Sequence, residues 1–146
     1  MSVTKFAFHG GRELEKALAQ LDKAATRKST ARRALKKAAA PIFSNYQANT
    51  TVATGTLFGN ETVGTRLNRR QAAMNRKMGK SEIEIHIGTS DPAGIQQEFG
   101  NVNQGATPAL RPAYDAEGGQ RALDRIGDEM WDDIKRTAAR QAKRRK

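Results

Sequence analysis

In the run GRELEKALAQLDK, Leu14, Leu18 and Leu21 fall at i, i+4 and i+7, a spacing that predicts a helix with one narrow apolar stripe. A longer helical pattern runs from Thr26 to about Asn49 through Ala31, Leu35, Ala38, Ile42 and Tyr46, with Lys28, Arg32 and Lys36 stacked on another face. Pro41 lies inside it. A proline there removes an amide donor and crowds the preceding turn at a cost of about 3 kcal/mol, so a kink or break is expected near Ala40. A last helix, about Gln120 to Arg140, places Leu123, Ile126, Met130, Ile134 and Ala138 at helical spacing with Trp131 on the flank.

Period two replaces this pattern elsewhere. Val3 to His9 alternates weakly, with Phe6 and Phe8 on one side, and reads as a short strand closed by Gly10 and Gly11. The run SEIEIHIG, from Ser81 to Gly88, is the clearest strand, with Ile83, Ile85 and Ile87 facing a core and Glu82, Glu84 and His86 facing water. Thr50 to Asn60 reads as a loop, followed by a strand over about Phe58 to Leu67. Asn68 is placed to cap a basic helix, Arg69 to Lys77, ended by Gly79. From Thr89 to Ala109 the chain is rich in Gly, Pro and Asn and is expected to be a mobile, partner-contacting loop. The elements sum to one α+β domain over residues 1–140, a small antiparallel sheet with the longer helices on one face and a C-terminal helix. Residues 141–146 form a flexible basic tail.

Composition narrows the chemistry. With 146 residues and 37% hydrophobic positions, many of them Ala, the core should be thin. The absence of cysteine excludes disulfides, thiolate metal sites and a cysteine nucleophile. No apolar run suits a leader peptide or a membrane span, so a soluble, unexported chain is expected. The net charge of +11 is unevenly spread along the sequence: residues 26–80 carry twelve Lys/Arg and one Asp/Glu, residues 81–135 carry four and eleven, and residues 136–146 carry six and none. Such blocks suggest that the basic stretch of one copy meets the acidic stretch of a neighbour.

Catalytic patterns are sparse, and an enzyme is not expected. Glu82, Glu84 and His86 form an E-x-E-x-H pattern that could hold a metal, but charged residues on one strand face are ordinarily solvated. Asp128, Asp132 and Arg136 stack on the last helix with Glu129 and Asp133 beside them, an arrangement read as helix-surface pairing. No phosphate loop, nucleophile elbow or H-E-x-x-H is present, and no catalytic, metal or cofactor residue is assigned. The alternative from another class is nucleic-acid contact. Lys28, Arg32, Arg33, Lys36 and Lys37 give one basic set, and Arg69, Arg70, Arg76 and Lys77 a second, each suited to an interface or to non-specific DNA contact. Aromatic residues are only 5% and are not interleaved with these runs, which disfavours base stacking.

The order of features from Gly10 onward resembles the family of small tailed-phage tail completion, or head-to-tail joining, proteins. The similarity rests on the G-REL-x-x-AL helix, the basic Ala-rich helix with Pro41, Thr54-Gly55, the run TRLNRRQAAMNRK, and Ile85, Ile87 and Gly88. QEFGN, from Gln97 to Asn101, LRPAYDA, from Leu110 to Ala116, and a helix with Leu123, Ile126 and Trp131 complete it. Its motif residues here are Glu98, Phe99, Gly100, Pro108, Leu110, Arg111, Pro112 and Ala113, read as architectural; Ala109 departs from the Phe often found before Leu-Arg-Pro-Ala. Glu98 and Arg111 are expected to lie together. The resemblance implies a virion neck protein, assembled in the host cytoplasm, that forms a ring of about six copies between head connector and tail tube. From the residues themselves, no membrane contact and no cofactor are expected.

Overall fold

The computed structural model describes residues 10–21, 24–51, 56–77 and 83–144. The strand read over Val3 to His9, the Gly79 stop and Glu82 lie outside them. The described chain is α+β, mostly helical with a two-stranded antiparallel sheet and a long C-terminal helix. It divides into two compact units, one made of Met1–Ala38 with Gly119–Lys146, the other of Ala39–Gly118.

In the first unit, α1 (Gly11–Ala19) packs on α7 (Gly119–Arg144). Leu14, Leu21 and Ile134 are buried together, with Ala17, Leu18, Met130 and Trp131 against them. Three large aliphatic side chains at about 1.5 to 3 kcal/mol each make a small core, as the composition foretold. The third partner is the opening part of α2 (Ala24–Asn49), whose buried residues here are small: Thr30, Ala31, Ala34 and Ala38. Charged groups tie it to α7. Arg33 Nε donates to Asp133 Oδ2 at 2.9 Å, Lys37 Nζ to Glu129 Oε2 at 2.9 Å, and Arg125 Nε to the Ala38 carbonyl at 3.2 Å. Contacts that rise along α2 fall along α7, so the two helices run antiparallel.

Pro41 does not break α2, which is helical from Ala24 to Asn49. A proline at this position leaves the Lys37 carbonyl without its usual donor and loosens the turn around it. Arg125 bonds a carbonyl in that turn, and Ala38, Ile42 and Tyr46 are buried on either side of the proline, which offsets the loss. α7 also exceeds its expected end: it runs to Arg144, so residues 141–144 are helical. Its stripe differs too. Ala138 is exposed and Leu123 and Ile126 only half-buried, while Gly127, Asp133 and Thr137 are buried.

The second unit holds the rest of α2 and the sheet. α3 (Thr56–Gly59) occupies the end of the expected loop, and β1 (Glu61–Gly64) follows, shorter than the strand read over Phe58 to Leu67. β1 pairs antiparallel with β2 (His86–Thr89) in the register Glu61 with Thr89 and Gly64 with His86. Here the sequence reading is corrected. The strand spans only His86–Thr89, and Ile83, Ile85 and Ile87 are half-buried like Glu84 and His86, so no dry face alternates with a wet one. A two-stranded ribbon has too little area to bury one side fully.

α4 (Arg69–Lys77) begins as expected at Asn68. The Asn68 side chain accepts from the Gln71 amide at 2.8 Å, and the Gln71 side chain accepts from the Asn68 amide at 3.1 Å, a reciprocal cap that saturates two end donors. Gln71 Nε2 also donates to the Thr89 carbonyl at 3.2 Å, fixing α4 to β2.

The segment from Thr89 to Ala109, expected to be a loop, contains the helix α5 (Pro92–Phe99), and a second short helix, α6 (Leu110–Glu117), follows the segment directly. Asp91 caps α5 through the Ala93 amide at 2.9 Å, with Pro92 at the first helical position, where its missing donor costs nothing.

Candidate functional site

The motifs QEFGN and LRPAYDA meet in the second unit, and the Glu98 carboxylate joins them. Its Oε2 accepts from the amides of Ala109 at 2.9 Å and Leu110 at 3.0 Å, and its Oε1 from the amide of Arg111 at 2.9 Å. The first four amides of a helix have no partner inside it. In α6 three of them go to Glu98, and the fourth position is Pro112, which has no amide hydrogen. No opening amide of α6 is left without an acceptor. Burial works to raise the Glu98 pKa, but the three amides and the nearby Arg111 charge outweigh it and hold the carboxyl below its ordinary value. Glu98 and Arg111 are neighbours as expected, and the contact is a carboxylate on a helix N-terminus.

The loop between α5 and α6 is braced at its base. Gly100 has φ of 74°, and a side chain there would place a Cβ 2.8 Å from the Ala106 nitrogen and 2.9 Å from the Gln104 oxygen, so only glycine fits. Asn101 N donates to Gln104 O at 2.8 Å and Thr107 N to Gln97 O at 2.8 Å, while the Asn101 side chain accepts from Asn103 N at 2.8 Å. Ala109, where the resembled family often carries Phe, is 2% exposed, and its carbonyl accepts from Asn49 Nδ2 at 3.2 Å.

This clasp displays apolar side chains to solvent. Ile95 and Phe99, one turn apart on α5, are 61% and 68% exposed, Val102 at the loop tip is fully exposed, and Tyr114 on α6 is half exposed. From Pro92 to Leu110 the only charged side chain is Glu98, which is turned into α6. Phe99 and Pro108 are thus surface residues, Leu110 is half-buried, Arg111 and Pro112 are exposed, and Ala113 is buried.

Beneath the clasp lies a polar layer. The buried Thr50 hydroxyl lies within reach of the Tyr46 carbonyl at 3.0 Å and bonds Glu61 Oε1. Burial first, and then the Glu61 and Glu98 carboxylates, push the Tyr46 hydroxyl up to about 12. Glu61 Oε2 and Gln97 Nε2 are buried with no hydrogen-bond partner among the described residues.

The remaining sequence candidates separate. Lys28, Arg32 and Lys36 are exposed on α2, whereas Arg33 and Lys37 engage Asp133 and Glu129 of the same chain. The acidic stretch expected to meet a neighbour's basic stretch is, at these positions, occupied within the chain. Arg69, Arg70 and Arg76 are exposed on α4 in the second unit. Lys77 closes that helix. Glu84 Oε2 lies 3.5 Å from His86 Nε2 and accepts from Asn75 Nδ2 at 2.8 Å. Among the described residues no group of three His, Asp or Glu could hold a metal, and no helix is long and apolar enough to cross a membrane.

Sequence reasoning missed the exposed face of α5. Its signals were Asp91-Pro92 at the start and the i, i+4 pair Ile95 and Phe99. No protein-family model, curated protein or solved structure matches the chain.

Proposed function

We propose that this chain is a structural joining subunit of the tailed-phage neck, a tail completion protein that acts in a ring of about six copies and catalyses no reaction. One observation carries the protein-binding part of this reading: a braced, uncharged surface presenting Ile95, Phe99 and Val102 in a chain that is 28% charged overall. Exposed apolar patches free of charge are where proteins bury one another. The order of the EFG and LRPA motifs, resembling that family, supports the placement between head connector and tail tube, in the virion and, during assembly, in the host cytoplasm. Glu98, Gly100 and Pro112 act here by shaping the surface, since each fixes backbone at the junction of α5 and α6.

The test is sedimentation velocity of the wild type beside Phe99→Asp and Val102→Asp. The wild type is expected to sediment as a closed oligomer and both variants as folded monomers by circular dichroism. A wild type that stays monomeric at its highest soluble concentration, and a particle reconstruction that leaves the neck without this chain, would each overturn the reading.

A further inference from the structure

Folding sorts the charge. The unit made of Met1–Ala38 and Gly119–Lys146 holds nineteen Lys/Arg and eight Asp/Glu, and the unit Ala39–Gly118 holds seven of each. The first unit therefore carries the whole net charge of +11 and the second carries none. Within the first unit the excess is concentrated further. From Ala24 to Ala38, α2 has six basic residues and no acidic one, and from Ile134 to Arg144, α7 has five and none.

These two stretches are more than a hundred residues apart in sequence, and the antiparallel register unites them. Arg33 meets Asp133 and Lys37 meets Glu129, so one turn back along α2 corresponds to one turn forward along α7. The start of α2, with Arg27, Lys28 and Arg32, thus lies at the same end of the helix pair as Arg140, Lys143 and Arg144. All six are exposed. Further along the pair, Glu129 and Asp133 are engaged by Lys37 and Arg33, and beyond Asp133 α7 carries no carboxylate.

We propose that this end of the α2 and α7 pair is a docking surface for the phosphate backbone of duplex DNA, bound without regard to sequence. What is missing from the surface chooses the partner. All of the large hydrophobics exposed among the described residues, Phe58, Met74, Ile95, Phe99, Val102 and Tyr114, belong to the other unit. Protein interfaces are depleted in lysine and anchored by aromatics, and membrane-surface helices need an apolar face beside their basic one. A dense cationic surface without either matches a polyanion whose affinity comes from counterion release, and the lack of aromatics leaves no platform for stacking unpaired bases, which favours a duplex over a single strand. The binding goes beyond the joining role and does not require the ring.

The experiment measures fluorescence anisotropy of the full chain on mixed-sequence DNA duplexes between about 50 and 200 mM salt. Wild type is expected to bind unrelated sequences equally, with a slope of log affinity against log salt of about −4 or steeper. Each phosphate contact contributes about −0.9 to that slope, so Arg140→Gln/Lys143→Gln/Arg144→Gln should flatten it by about 2 to 3, and Lys28→Gln/Arg32→Gln by about 1 to 2. Arg69→Gln/Arg70→Gln, equally exposed cations in the neutral unit, should leave it unchanged. No binding near 50 mM salt, equal slopes for all proteins, or the larger loss from Arg69 and Arg70 would overturn the assignment, and because the α2 and α7 substitutions are made in separate proteins, either one decides if the other fails to fold. Anionic lipid vesicles or polyglutamate that displace the duplex at equal charge would overturn it in favour of those partners. Loss of DNA binding with an intact oligomer would leave the joining reading standing.

Discussion

The two units of this chain solve the problem of a thin core by opposite means. The first buries three aliphatic side chains and a row of alanines, then adds ion pairs at the seam between α2 and α7. Its outside is cationic. The second is electrically neutral, buries a polar layer of Thr50, Glu61 and Gln97, and turns apolar side chains outward. What stabilises the first is thus what decorates the second, and the two should respond differently to the same kind of substitution.

The largest expected effect comes from removing a large apolar side chain on each side of that contrast. Ile134→Ala opens a cavity in a core with few other members and should cost about 2 to 4 kcal/mol. Phe99→Ala removes a larger side chain that is 68% exposed, and should change stability by less than about 0.5 kcal/mol while weakening self-association. Urea denaturation with sedimentation on the same samples checks both. If Phe99→Ala destabilised as much as Ile134→Ala, the outward face of α5 would belong to the core.

The helices with inward apolar stripes were legible in the sequence, because period and burial agree in α1 and α2, whereas in α7 only Ile134 of the expected stripe is fully buried; the Asn68 cap was readable from its own spacing to Gln71. α5 was not, since Ile95 and Phe99 keep helical spacing but face solvent, and Gly94 and the flanking prolines resemble a loop. Gly94 is in fact tightly placed: a Cβ there would lie 2.3 Å from the Thr89 methyl. α6 was hidden for another reason, as its cap comes from Glu98, eleven or more residues upstream. The linear charge blocks misled, because the boundaries at residues 80 and 135 cut across both units. The pairings of Arg33 with Asp133 and of Lys37 with Glu129 show which charges are spent inside the chain.

Next in size is the clasp. Glu98→Ala strands the opening amides of α6 and should cost about 1 to 2 kcal/mol. Because the folded pKa of Glu98 is depressed, its contribution is fully present above the ordinary carboxyl range and is lost as pH falls through the folded value. Wild type should therefore lose stability in acid relative to Glu98→Ala, and the two curves should converge at low pH. At the alkaline end the sign reverses for Tyr46. Its hydroxyl titrates at about 12 in the fold and near 10 when unfolded, so stability declines between those values as the unfolded chain gains by ionising. In a Tyr114→Phe background, the tyrosinate absorbance should rise at about pH 12; a rise near 10 would show that Tyr46 is not buried beside Glu61 and Glu98.

A smaller effect is expected from the seam of the first unit, although Asp133 is 6% exposed there. Arg33 is half exposed, so water can take over its charge when the carboxylate is lost. A double-mutant cycle of Arg33→Ala and Asp133→Asn should give a coupling of about 1 kcal/mol, well short of the 3 to 5 typical when a fully buried partner is stranded. A larger coupling would mean that the seam, rather than Leu14, Leu21 and Ile134, carries the unit.

The smallest effect should have the opposite sign. Gln97 is 8% exposed on α5, and its Nε2 has no hydrogen-bond partner among the described residues, while its backbone carbonyl accepts from Thr107. A buried donor without a partner costs about 1 to 3 kcal/mol in desolvation, and replacing it by an apolar group of similar shape can remove that cost. Gln97→Met keeps the length and flexibility of the side chain and leaves the backbone bond to the loop intact. It should raise stability by up to about 1 kcal/mol without changing the oligomer, whereas Thr50→Val, which removes the hydroxyl bonded to Glu61, should lower it. Chemical denaturation of the two variants makes the comparison. A destabilised Gln97→Met would show that Nε2 has a partner in solution, such as an ordered water between α5 and the polar layer at Tyr46, Thr50 and Glu61. The second unit would then be held by a connected polar interior, and its contrast with the first unit would sharpen from apolar surface to polar core.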